Sequence, residues 1–508
     1  MPPRVSSLFL CLVILSGCKS SGTGICRIRQ TEDYVPRVPQ TSLTSANQDR
    51  ESGVPLLEES ARAANENAIQ KVSATDADTK LPLTSLNETA DNGISLQQSI
   101  SLALSQNPDL VTLRQTERVS SATLGVAQTY PFNPSVQVQV TPWQNARSGG
   151  AGTTSHYVLL MQTIQLAHQQ QFREQGAAFT LNSTRWNIHQ AELQTLAQTE
   201  RLYFVALYQR GLMELADASN RNNQQLLRTL EKQLDAGQAT AADVAIVRVD
   251  AESTRQQLRL GSANYQSALR DLARQVGVSP DEIHGVDGDL RRIDWRLPGL
   301  PADSEMTTHI ESETAASEAR SNILSWAASR PDVMAARSDI DVARANLGLA
   351  SASKTPDLQI GPYYLTSPEN TQFVGFRGQI DLPVINNGVP LERQRIAEHH
   401  QRLTAWQQAR RRAELDAEAA MARYETALTA AVTDTPSTAT DLPAELEGLE
   451  TQFQAGEVDV VRVVQARTSL IQNQRARLDL LNEVAQSAAT LTGAAGIPVD
   501  QLIHFAID

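Results

Sequence analysis

The sequence predicts a mainly α-helical chain with a small β component, and three observations carry that prediction. The first is a run from Trp143 to Ser279 without a single proline. The second is a set of four short segments that alternate apolar and polar residues. The third is an internal duplication with a period of roughly 220 residues, too long for a solenoid unit. Composition agrees: of 508 residues only 5% are aromatic, and the helical stretches are rich in Ala, Gln, Arg and Glu. That balance suits long helices packed through thin seams better than a thick core. The formal net charge of −13 argues against non-specific nucleic-acid binding, and no basic patch interleaved with aromatics occurs.

Within the proline-free run, Ala167 to Leu234 reads as one helix. Apolar residues recur at helical spacing at Leu193, Leu196, Tyr203 and Leu207, then at Leu227, Leu230 and Leu234. At about 1.5 Å per residue it would be a rod of roughly 100 Å. It stops at Asp235-Ala236-Gly237, where glycine accepts the left-handed conformation that ends a helix. A second helix starts near Thr240, with Asp243 in its first turn, and runs to about Val276.

The N-terminus reads as a targeting segment over residues 1–17. Arg4 precedes the apolar run Leu8–Leu15, too short to span a membrane as a mature helix. Leu15-Ser16-Gly17-Cys18 resembles the bacterial lipoprotein signal, which implies lipidation at Cys18. Lys19 follows the cysteine where aspartate would signal inner-membrane retention, so outer-membrane sorting is expected. Cys26 is then the only other thiol, and an intramolecular disulfide is not expected. Residues 18–92 are polar and without a sustained period, a linker from the anchor.

The duplicated part begins at residue 93. The first repeat, 93–280, opens with a short helix to Gln106, the junction Asn107-Pro108-Asp109-Leu110 and a helix to about Gln128. The second, 321–500, repeats this from Ile323 through Arg330-Pro331-Asp332-Val333 to about Ser351. Leu-Gly falls sixteen residues past the proline in both, at Leu124-Gly125 and Leu347-Gly348. The tips recur as well: Ala236-Gly237 with Asp243-Val244 (tip at 236–240), and Ala455-Gly456 with Asp459-Val460 (tip at 455–459). Residues 281–320 form a polar, proline-marked connector, and 501–508 a C-terminal tail. The helix from Leu391 to Val432 breaks at Thr435-Pro436-Ser437 and Leu442-Pro443, where a loop is expected.

Each repeat places two alternating segments between its helices, at about 135–166 and 358–384. In the first, Val136, Val138 and Val140 oppose Gln137, Gln139 and Thr141; past the turn Gly149–Gly152, Val158, Leu160, Ile164 and Leu166 share one face. In the second, Leu358–Leu365 precedes Phe373–Val384, where Val374, Phe376, Ile380, Leu382 and Val384 oppose Gly375, Arg377, Gln379 and Asp381. About ten residues with one apolar face fit a transmembrane β-strand. Four strands cannot close a barrel, and an open edge in lipid would leave backbone groups unsatisfied at several kcal/mol each. Several chains must then share one barrel. Three would supply twelve strands and a lumen.

With the Asn-Pro-Asp-Leu junction at 107–110, Asn133-Pro134 before the first strand, Ile380-Asp381-Leu382-Pro383-Val384 leading to Asn386-Asn387-Gly388, and the Ala-Gly tips, residues 93–500 resemble the TolC-like outer-membrane efflux channel family, with pieces closest to its heavy-metal efflux branch. The resemblance implies a homotrimer with a twelve-stranded outer-membrane barrel and a long-helix α-barrel through the periplasm. It implies a passive exit duct whose tips, Ala236-Gly237 and Ala455-Gly456, meet a periplasmic adaptor linked to an inner-membrane pump. The family often narrows its tunnel with an acid six positions after the second tip glycine. Here that position is Arg462, with Gln465 at a second such place, so Asp243, Asp459, Arg462 and Gln465 are the candidate gate, and an Arg462–Asp243 pair is expected to hold the tips closed. The resemblance implies that the 433–443 interruption is a counterpart of the equatorial elaboration the family carries at comparable places.

Catalysis, cofactors and metal binding are not expected. The sequence has no Walker-type loop, GxSxG, CxxC or HExxH, and its adjacent His399-His400 point to different sides of a helix. The alternative reading is a lipid-anchored coiled-coil structural or adaptor protein of the envelope. The four amphipathic strands discriminate, because a coiled coil has no use for them.

Overall fold

The computed structural model describes residues 93–144, 153–298, 313–367, 371–433, 448, 451–452, 459–497 and 502–505, all within the second of the chain's two units, Pro82–Asp508. The targeting segment, Cys18, Cys26, the linker, the Gly149–Gly152 turn, the 435–443 interruption and the Ala455-Gly456 tip lie outside the described residues.

Two repeats follow one plan. Helices α1 (Leu96–Gln106) and α2 (Pro108–Gln128) lead to strands β1 (Ser135–Gln144) and β2 (Thr153–Ile164), then to α3 (Gln169–Asp235) and α4 (Ala241–Val276). After the short β3 (Ile293–Trp295) come α5 (Glu313–Ala328), α6 (Pro331–Ala352), β4 (Leu358–Thr366), β5 (Gln372–Ile380), α7 (Val389–Thr433) and α8 (Val460–Ala495), then β6 (Ile503–Phe505). The 67 residues of α3 make a rod of roughly 100 Å at about 1.5 Å per residue. On the sheet side of that rod α2, α3, α6 and α7 pack side by side; on the tip side α4, α3, α8 and α7 do so. The two longest helices therefore serve both ends.

The junctions show why the helices start and stop where they do. Asn107 caps α2, its Oδ1 accepting from the Asp109 and Leu110 N–H at 3.0 and 3.1 Å, while its Nδ2 donates to the Gln275 carbonyl at 2.8 Å. In the second repeat Arg330 holds that place without capping. Its guanidinium grips Asp332 through two bonds of 2.8 and 2.6 Å and donates to the Ala494 carbonyl at 3.2 Å. Different side chains thus tie each junction to the end of the last helix of its own repeat. Those ends are matched too, since α4 and α8 both stop at left-handed glycines, Gly277 and Gly496.

The main core sits at this level. Tyr203 on α3 and Tyr424 on α7 are fully buried, and each donates its hydroxyl to a connector carbonyl: Tyr203 to Asp287 at 2.5 Å, Tyr424 to Arg296 at 2.7 Å. Burial pushes both phenols well above their ordinary 10. Trp295 stands edge-on to Phe204, ring centroids 5.5 Å apart. The stretches read from sequence as connector and tail are built into this core. β3 pairs antiparallel with β6, and Leu290, Ile293, Trp295, Leu502 and Ile503 are buried. Three-residue strands are too short to show a period, so they escape a pattern reading. The last amphipathic segment is also shorter than its alternation suggests: β5 ends at Ile380, and Leu382 and Val384 lie beyond it, where Pro383 can donate no ladder bond.

Truncating Tyr424 to alanine is expected to cost about 3–5 kcal/mol, whereas phenylalanine, which loses only the bond to the Arg296 carbonyl, should cost about 1 kcal/mol. Denaturant unfolding followed by circular dichroism would read both, and equal costs would contradict the tie to the connector.

Candidate functional site: the open sheet and the helix tips

The sheet has the order β1-β2-β4-β5, antiparallel throughout, with the ladder between β2 and β4 joining the two repeats. Its registers bring one residue set to one face. Val136 lies opposite Leu160, Val138 opposite Val158, Val158 opposite Tyr364, Leu358 opposite Ile380, and Tyr364 opposite Val374. Val136, Val138, Val140, Val158, Leu160, Ile164, Ile360, Tyr364, Val374, Phe376 and Ile380 are all exposed. The other face carries Gln137, Gln139, Thr141, Thr163, Gln359, Arg377 and Gln379, with Leu159 and Met161 buried among them. An exposed apolar face of this extent marks a surface that is covered in the working protein. Among the described residues of one chain β1 and β5 each keep one edge without a partner strand. No helix among the described residues is long and apolar enough to cross a membrane.

At the far end α3 turns into α4. Ala236 remains right-handed and Gly237 takes φ 73°, its N–H donating to the Leu234 carbonyl at 2.9 Å. A residue with a Cβ would be strained there. Thr240 and Asp243 then form a capping box: the Asp243 N–H donates to the Thr240 hydroxyl at 3.2 Å, and the carboxylate accepts from the Thr240 hydroxyl and N–H at 2.6 and 3.1 Å. These bonds hold the Asp243 carboxyl below its ordinary 3.8.

Three helices close over a small apolar cluster at this tip: Leu226 and Leu230 of α3, Val244 and Val247 of α4, Val460 and Val463 of α8. Asp459, Arg462 and Gln465 are exposed at the start of α8, and Asp459 precedes it without a side-chain capping bond. The expected Arg462–Asp243 pair does not form within the chain. Asp243 is instead taken up by Thr240, whose hydroxyl is three residues away and needs no long side chain to be immobilised. Ala236 and Gly237 form the turn between α3 and α4; Asp243 lies in the first turn of α4, Asp459, Arg462 and Gln465 lie at the start of α8, and none of the four bonds to another.

Next to the apolar cluster lies a polar layer that pattern reading missed. Arg467 is almost fully buried, and its Nη1 donates to the Asn222 carbonyl and Asn223 Oδ1, both at 3.4 Å; Asn223 Nδ2 donates to Asp250 Oδ2 at 2.6 Å. The layer spans α8, α3 and α4. Burial raises the Asp250 pKa above 3.8, against the hydrogen bond from Asn223 and the charge of Arg467. The available signal was a charge on an apolar stripe, since Arg467 follows Val460 and Val463 at helical spacing. Among the described residues there is no group of three or more His, Cys, Asp or Glu able to hold a metal ion.

Comparison with known proteins fits this geometry. Residues 99–278 match the family of outer membrane efflux proteins. Among solved structures, the outer-membrane channel CmeC of Campylobacter jejuni superposes with a TM-score of 0.60 at 15% identity, covering 81% of this chain and 87% of that one. The MtrE outer-membrane channel of Neisseria gonorrhoeae gives 0.58 at 20% identity, over 79% and 88%. CusC, described as forming a transmembrane channel, gives 0.59 at 19% identity, over 79% and 91%. No curated protein sequence matches the chain significantly.

A fold that disfavours the charged Asp250 contributes stability that is complete below pH 3.8 and is lost as pH rises through the raised pKa. Asp250→Asn is therefore expected to protect the α4 amides near Val247 more than wild type at neutral pH, with the difference closing on acidification; hydrogen exchange measures it, and a pH-independent difference would remove Asp250 as the cause. The first repeat thus matches the outer membrane efflux protein family over residues 99–278, and the described residues share the fold of solved outer-membrane channels.

Proposed function

We propose that the chain is the exit duct of a tripartite efflux system, passively conducting substrates delivered by an inner-membrane pump. The observation that carries this reading is the two-faced sheet with an open edge on each side. Hydrocarbon tolerates no unpaired backbone edge, so the β1 edge of one copy must meet the β5 edge of another. Three copies would close twelve strands around a water-filled lumen lined by the Gln, Thr and Arg face. The long helices would continue that lumen through the periplasm.

The Gly237 tip is the surface offered to a periplasmic adaptor, because this turn ends the α3 rod on the side away from the sheet; the sequence repeat extends the proposal to Ala455-Gly456. Asp243, Asp459, Arg462 and Gln465 would line the mouth of the tunnel there, their charges free to act between copies. Cys18 would carry the lipid anchor, holding the chain to the outer membrane while the sheet spans it. Such a duct needs no cofactor and performs no catalysis. A coiled-coil spacer, the other reading of the sequence, leaves the apolar sheet face without a purpose.

Mass measurement in mild detergent tests the reading. The expected result is a heat-modifiable species of about three chains that fractionates with the outer membrane; a stable monomer there would end it. Replacing Arg462 with alanine should change single-channel conductance in planar bilayers, and unchanged conductance would take Arg462 out of the gate.

A further inference from the structure

β5 ends at Ile380 and α7 begins at Val389, and the turn between them is unusual in what it exposes. Leu382 is 74% exposed, Val384 84%, and Ile385 is fully exposed. This is not a loose loop. Pro383 presets a tight turn, in which the Val384 N–H donates to the Leu382 carbonyl at 2.8 Å. Asn386 and Asn387 then accept from the N–H groups of Gly388 and Val389 at 3.1 and 3.2 Å, two side-chain turns that fix the entry into α7. Three large apolar side chains are thereby held away from their own chain, which is the mark of a contact surface.

The arrangement of the sheet says what covers it. All ladders are antiparallel: β1 runs away from the helices starting at Ser135, and β5 returns to them ending at Ile380. If the β5 edge of one copy pairs with the β1 edge of the next, as the shared barrel requires, the 382–385 turn arrives beside the segment just before the neighbour's β1. Adjacent strands are only about 4.8 Å apart. That segment presents Val126, 75% exposed, and the half-exposed Tyr130. Tyr130 is itself fixed: its hydroxyl donates to the Thr163 carbonyl at 2.8 Å and accepts from the Gln165 N–H at 3.0 Å, and its ring stands edge-on to Phe132 with centroids 6.1 Å apart. A pinned apolar turn would face a pinned aromatic seat.

We propose that Leu382, Val384 and Ile385 form a clasp that seats on Val126 and Tyr130 of the next copy, sealing the rim where barrel and helices meet. The proposal rests on the shared-barrel reading and adds the contact that sets its register. Lipid is the weaker occupant, because Asp381 on one side and Asn386-Asn387 on the other bracket the turn with groups that hydrocarbon rejects.

Disulfide trapping tests the clasp. With Cys26 replaced by serine, the double variant Val126→Cys/Ile385→Cys, oxidised in outer-membrane vesicles, is expected to give a ladder of covalently joined chains on non-reducing gels, absent from either single variant. Ile385→Glu should raise the protein concentration at which the oligomer dissociates by about tenfold or more. A native-sized oligomer with no ladder and unchanged dissociation would overturn the clasp and leave the duct standing. If wild type is monomeric in mild detergent, the shared barrel itself fails. Quenching of Ile385→Trp fluorescence by lipids brominated along their tails would place the turn in the bilayer and overturn the clasp as well.

Discussion

An unpaired strand edge is the constraint on which this molecule depends. Each N–H and C=O along β1 and β5 that points away from the sheet needs a partner, and in hydrocarbon none is available from solvent. The described sheet has four strands, too few to curl onto themselves, so in the proposed duct the missing partners come from other copies. The alternation of Val136, Val138 and Val140 with glutamines fits that proposal, since a closed wall would need one face for lipid and one for water. Long helices packed in a single layer are compatible with the same closure. At each end of the α3 rod four helices, α3 among them, lie side by side rather than as a bundle around its axis.

The middle of the molecule solves a different problem. Rods of this length packed through narrow seams would slide, and the connector prevents it. Tyr203 and Tyr424 anchor its carbonyls to the two longest helices, and the pairing of β3 with β6 brings in the end of the chain. A buried phenol with no acceptor would cost about 1–3 kcal/mol, so each tyrosine specifies where the connector lies as well as stabilising it. The repeats therefore meet at an equator cross-tied by the connector.

The repeats are equal in plan and unequal in detail. Asn107 and Arg330 occupy one place and reach equivalent carbonyls, but only the asparagine also caps its helix. At the tip, Asp243 closes a capping box at the start of α4, whereas α8 starts after Asp459 with no side-chain bond and its next charge, Arg462, stands in solvent. Apolar packing from six residues and the Arg467–Asn223–Asp250 layer hold these helix ends together instead. A partly charged layer is often a less stable solution than an apolar one of the same volume.

Much of this was legible in the residues because it is local. Helix period, proline and glycine punctuation, the two strand pairs and the repeated Pro-Asp junctions each depend on neighbours within a few turns, and α3 begins and ends within about two residues of where its pattern does. What tertiary structure alone decided is which distant groups meet. No spacing shows that β2 pairs with β4, that Trp295 and Ile503 share a strand pair, that Tyr424 repeats the part of Tyr203, or that Thr240 rather than Arg462 takes the Asp243 carboxylate. Those outcomes are settled by competition among partners brought close by folding, where the nearest satisfied geometry wins, and a linear pattern holds no record of that contest.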